Sequence, residues 1–200
     1  MTVTQTDAGS RSEGVRVKSP STAVTMTAVM GALALLAFAA VNIIFEGTNH
    51  FADGPLAAYA SGLTIMNWLV VGLKLLGAAV LMLSVSRWAS GSAPNLITLL
   101  LWGAFGTFAI YALGTIGEAV AMATGLAGSP DEIDAAGVAY LIGTVFFAAC
   151  FGVVAVSYSR RASWRPLPLV VGLLGAPILL VGLLVLAPTL LVLLGIMPSM

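Results

Sequence analysis

The chain has 200 residues, 60% of them apolar and only 8% charged, with a mean hydropathy of +1.06. These values exclude a soluble domain and predict an all-α integral membrane protein. Eight basic residues balance eight acidic ones, which leaves no nucleic-acid signature.

Residues 1–21, rich in Ser, Thr and charge, read as a disordered cytoplasmic tail, and residues 22–200 as one transmembrane domain. A helix crossing about 30 Å of hydrocarbon needs roughly 20 apolar residues. Residues 23–45, 59–85, 96–122, 136–158 and 167–197 meet that length and predict five transmembrane helices. Seven of the eight cations (Arg11, Arg16, Lys18, Arg87, Arg160, Arg161 and Arg165) fall on one side of these crossings. The loops after helices one and three carry Glu46, Asp53, Asp131, Glu132 and Asp134 instead. The positive-inside rule then places the N-terminus in the cytoplasm and the C-terminus outside, in the plasma membrane. Aromatic residues fit the same frame, with Trp88, Tyr158 and Trp164 at the inner interface and Tyr59 and Tyr140 at the outer one.

Helix one competes with a signal peptide, because basic residues precede it and Ala37-Phe38-Ala39 resembles a cleavage site. Its apolar sequence runs on to Phe45, longer than a cleaved segment, which favours an uncleaved helix. Gly47 is positioned to end it in the left-handed conformation. Asp53-Gly54-Pro55 then turns the chain into helix two. Glu46, His50 and Asp53 would share a face only on a continuous helix, so they are weak metal candidates, and no metal or cofactor is expected.

Helix two holds Lys74 near its middle, with no other charge in residues 59–85. An ammonium group at that depth costs roughly 2.5–3.5 kcal/mol on insertion scales, so it needs a partner, water or a function. Thr64, Asn67 and Lys74 form one polar face. On helix three, Thr107, Tyr111, Gly114 and Glu118 form another, beside a mostly small stripe of Gly103, Thr107, Ile110, Gly114 and Gly117. The short connection between helices two and three predicts an antiparallel hairpin with Lys74 opposite Thr107 and the two polar faces in contact. Glu118 would then lie about 16 Å along the axis from Lys74, whereas the two side chains together reach about 10 Å. A direct ion pair is therefore not expected. Lys74 is left neutral through desolvation, hydrated in an outward-opening cavity, or paired with an acid from another subunit.

Ser129-Pro130-Asp131-Glu132 reads as a capping box that starts helix four ahead of the membrane. Cys150 is the only cysteine, which excludes an intrachain disulfide and leaves it a small packing residue. The segment Ser84-Val-Ser-Arg-Trp-Ala-Ser90 is echoed by Ser157-Tyr-Ser-Arg-Arg-Ala-Ser163 at five of seven positions, 73 residues on. This pattern points to a 2+2 parallel repeat, set against chance similarity at helix boundaries, with a fifth lipid-facing helix that contains Pro177 and Pro188.

No HExxH, nucleotide loop, haem-ligand pair or Ser/His pair is present, so enzyme activity is the least supported class. In composition alone the chain resembles small bacterial membrane proteins, which transfers no residue roles. Two functions remain. One is a small transporter or channel-like protein in which Thr64, Asn67, Lys74, Thr107, Tyr111 and Glu118 line an outward-opening polar path. The other is a membrane scaffold or accessory subunit that docks a partner through Lys74. Either would sit in the lipid bilayer as a homo-oligomer or beside a partner subunit.

Overall fold

The computed structural model describes residues 18–50, 52, 57–86, 94–162 and 166–195. Four helices are long and apolar enough to cross a membrane: α1 (Thr22–Gly47), α2 (Ala60–Val85), α3 (Pro94–Ala123) and α4 (Ala135–Arg161). A shorter apolar helix follows, α5 (Pro166–Val181), which runs through a π-helical turn at Gly182–Leu186 into α6 (Ala187–Leu193). The expected fifth helix is thus interrupted, and Pro188 supplies the reason. It has no N–H to donate and its ring crowds the preceding turn, so the backbone widens just before it.

The helix ends differ from expectation in two places. Gly47 is the last residue of α1 rather than its left-handed terminator; Asn49 takes the positive φ of 51°. The Asn49 N–H donates to the Glu46 carbonyl and the His50 N–H to the Phe45 carbonyl, the paired bonds of a Schellman cap. Asn tolerates this conformation better than other non-Gly residues. Ser129 caps only a single 3-10 turn, Pro130–Glu132, and the chain turns extended at Ile133 before Asp134 caps α4 by accepting from the Gly137 N–H at 2.7 Å. The predicted Asp53-Gly54-Pro55 turn, along with Trp88 and Trp164, lies outside the described residues.

Packing follows two antiparallel pairs, α1 with α2 and α3 with α4, joined mainly through α1 and α4. Helices two and three barely touch, which overturns the expected hairpin between them. The other flank of α3 is occupied by α5, where Gly172 lies so close that a Cβ would sit 2.5 Å from the Leu99 carbonyl oxygen. Gly103 and Gly106 receive α5, whereas Gly114 and Gly117 have nothing within 4 Å of an added Cβ. Only the first part of the predicted small stripe is therefore used for close packing, and Gly106 belongs to it as well.

The core is uneven along the helices. Call the end where α1 begins basal and the end where it finishes apical. The main cluster of buried apolar residues spans Ala28 to Leu35 on α1, Ala78 to Leu81 on α2, Ile97 to Leu101 on α3, and Phe147 to Tyr158 on α4 with Ala162 just beyond it, while Ala39, Val71 and Ala112 are buried singly nearer the apical end. The cluster itself lies in the basal part. Phe108, Phe147 and Phe151 close the core on its apical side, with ring centroids 5.1 and 5.5 Å apart in successive pairs with Phe108, and Phe38 of α1 meets Phe147 edge-on at 5.9 Å. Gly77 of α2 lets both Leu35 and Phe151 approach. Without a hydrophobic driving force inside lipid, such side-chain interlocking is what holds helices together.

The basal end is tied by Arg161. Its guanidinium donates to the carbonyls of Ser157, Lys18 and Ser84 and lies 5.5 Å from the Tyr158 ring centroid, so one side chain joins α4, α2 and the residues leading into α1. Tyr158 is wholly buried and thus a core residue, not the interfacial anchor its sequence position predicts. Ser21, placed in the tail by composition, caps α1 through the Val24 N–H. Residues 1–17 of that tail lie outside the described residues. Cys150 is buried against Gly31 of α1.

Candidate functional site

Lys74 faces α1, not α3. Side chains on a helix lean toward its N-terminus, so Lys74 on α2 reaches in the apical direction while Asn42 and Glu46 on α1 reach in the basal direction. Lys74 Nζ donates to Asn42 Oδ1 at 2.6 Å and to the Phe38 carbonyl at 3.3 Å, and lies 5.7 Å from the Phe38 ring centroid. Asn42 Nδ2 in turn donates to Asn67 Oδ1. Asn67 Nδ2 then donates to the Asn42 carbonyl at 2.9 Å and to Glu46 Oε1 at 3.0 Å. The result is a one-way chain of donors, Lys74 to Asn42 to Asn67 to Glu46, that starts at a cation and ends at a carboxylate.

Burial explains why every link matters. Asn67 is only 6% exposed, and Lys74, Asn42 and Glu46 are each partly buried. An amide at such a site costs about 1–3 kcal/mol for each group left unpaired. Here both ends of the Asn67 amide are bonded. A bond to a charged group contributes about 1.5–3 kcal/mol, comparable to the insertion cost of the lysine itself. The acid that sequence reasoning could not find for Lys74 is thus Glu46, reached through two asparagines. Glu46 belongs to α1 because the helix continues through Gly47.

Apical of this chain is a cavity of about 170 Å³ whose lining includes Phe45 and Glu46 at the end of α1, Asn49 just beyond it, and Ala60, Ser61 and Thr64 at the start of α2. Thr64, one turn from Asn67 on the same face of α2, brings the predicted α2 polar face to this opening. Asn67 and Lys74 lie basal of it. The two sides of the site are therefore α1 and α2, with Glu46 shared between the cavity and the donor chain.

The α3 half of the predicted path is elsewhere. Thr107 donates to the Gly103 carbonyl of its own helix at 2.9 Å. The Tyr111 carbonyl accepts from Thr115 Oγ1, Thr115 meets Thr144 of α4 at 3.4 Å, and Glu118 is exposed. Thr64, Asn67 and Lys74 are thus brought together, while Thr107, Tyr111 and Glu118 remain on the other helix pair. The weak metal set does not converge either: Glu46 is engaged by Asn67, His50 stacks on Phe45 with centroids 4.6 Å apart, and Asp53 lies outside the described residues. Among the described residues no three His, Cys, Asp or Glu side chains form a metal-sized group.

Sequence reasoning missed Asn42 and Phe38. A signal for Asn42 was present, since Asn42 and Glu46 are four residues apart on an otherwise apolar helix and Asn67 and Lys74 are seven apart on the next. Chemically, the chain neutralises a mid-helix cation without direct ion pairing. Amide groups pass protons poorly, so the arrangement suits a fixed polar wall or a breakable latch better than a proton wire. Comparison with known proteins supplies no relative: no family model, no curated protein and no solved structure matches the chain.

Proposed function

We propose that this membrane protein is a small transporter or channel-like protein whose apical half forms an outward-opening polar path for a small polar solute. The observation that carries this reading is the donor chain from Lys74 to Glu46, which lies apical of the Phe108–Phe147–Phe151 layer and leads to the cavity beside Thr64. Aromatic packing closes the basal side, and polar groups line the apical side.

In this reading the basal end is cytoplasmic and the membrane is the plasma membrane. Lys18, Arg160 and Arg161 lie at the basal end and Asp131 and Asp134 at the apical one, the asymmetry expected of the positive-inside rule. The run from α5 to α6 is the fifth crossing. In support, successive contacts of α3 with α5, from Leu99 and Gly103 at Gly172 to Gly106 at Ala176, advance in the same direction on both helices, as two odd-numbered crossings require. The 2+2 repeat finds support in the matched α1–α2 and α3–α4 pairs.

The accessory-subunit reading loses its original anchor, because Lys74 is already bonded within its own chain. It survives on α3, where Gly114 and Gly117 have no close neighbour and Glu118 is exposed. Lys74→Leu separates the two readings in reconstituted vesicles. Abolished solute flux with intact assembly is the expected result, and wild-type flux would sink the transport reading.

A further inference from the structure

The cavity at the apical end of α1 and α2 has a chemistry that selects its ligand. Among the described residues lining it, Glu46 carries the only charge. The C-terminal end of α1 and the N-terminal end of α2 both border it, and their opposed dipoles largely cancel, so the carboxylate sets the sign of the field. Lys74 Nζ bonds Asn42, one turn and about 6 Å basal of Glu46 along α1, so the ammonium lies farther from the cavity than the carboxylate in its wall. In the same dielectric the nearer charge dominates, so a cation against Glu46 is attracted more strongly than Lys74 repels it.

Size and wall composition narrow the choice further. At about 170 Å³ the cavity is smaller than the drug-sized range, and among the described residues it brings a single acidic side chain, without the group of carboxylates that a divalent metal gathers. Phe45 lines it as well, its ring held by stacking on His50. An aromatic wall beside a carboxylate favours an organic ammonium, whose weakly hydrated alkyl groups lose little on leaving water. Asn49 and Thr64 add polar atoms at the rim.

We infer that this cavity binds a small organic ammonium ion, held by the Glu46 carboxylate against Phe45, and is the outer entry site of the path. As an entry site it rests on the transport reading; as a binding site it stands by itself. Binding also weakens the Asn67 bond to Glu46, which couples occupancy to the amide chain beneath.

The test is a titration of the purified full-length protein with tetramethylammonium chloride, read as the thermal unfolding midpoint and compared with sodium chloride at equal ionic strength. A saturable rise with tetramethylammonium alone is expected. Glu46→Gln should weaken the apparent affinity about tenfold or more. Ala60→Phe, which keeps the carboxylate but fills the cavity, should abolish the response even if Glu46→Gln fails to fold. An equal rise with sodium, no saturation, or an unchanged response in a folded Ala60→Phe protein would overturn the inference. The binding readout involves no flux, so ammonium binding without transport would count against the transport reading alone.

Discussion

The two helix pairs solve the same problem in opposite ways. At the 73-residue offset that relates Ser84 to Ser157, Phe147 takes the place of Lys74 and Tyr140 the place of Asn67. Where α1 and α2 are held by a chain of amides between opposite charges, α3 and α4 are held by packed rings, a Thr115–Thr144 contact and a bond from Trp102 Nε1 to Ser159 Oγ at 2.9 Å, none of which involves a charge. Two pairs of similar length thus divide the labour, with rings closing the basal side and polar side chains lining the apical one. A charge at mid-helix is tolerated on the first pair because the facing helix carries its partners; the second pair has none to offer.

Substitutions can break that contrast. The largest loss of stability is expected from Phe147→Ala, which removes a ring that is 7% exposed and touches Phe38, Phe108 and Phe146. Its cost should reach about 3–5 kcal/mol, measured as the unfolding free energy in mixed micelles. Asn67→Leu comes next at about 1–3 kcal/mol, since it strands Asn42 and Glu46 without replacing their bonds. A loss as large as that of Phe147→Ala would mean that the amide chain, not the aromatic layer, holds the bundle together. Thr115→Val should change stability by no more than about 0.6 kcal/mol, the average for a hydrogen bond between membrane helices. A larger effect would show the second pair to be polar in its energetics too.

Much of this architecture was legible in the residues themselves. Hydropathy and length mark the four long helices because lipid leaves little freedom in composition, and Lys74 stands out because no other charge shares its helix. What sequence could not supply was the neighbour. The short link after α2 favoured α3 as its partner, whereas packing chose α1, and that choice depends on how Gly31 and Gly77 let three helices interlock at once. Glu46 was hidden by Gly47, which looked like a left-handed stop and is instead the last residue of α1. Pro188 was visible inside an expected continuous fifth helix, but the π turn that breaks the helix ahead of it depends on backbone geometry that no residue pattern encodes.

Lys74 and Glu46 are joined through Asn42 and Asn67 with no direct bond between them. A double-mutant cycle of Lys74→Met and Glu46→Gln, read as unfolding free energies in mixed micelles, tests it directly. A coupling of about 1–2 kcal/mol is expected, well above the roughly 0.3–0.5 kcal/mol typical of independent sites, and it should vanish when the cycle is repeated in an Asn67→Leu background. Strict additivity in the wild-type background would contradict it.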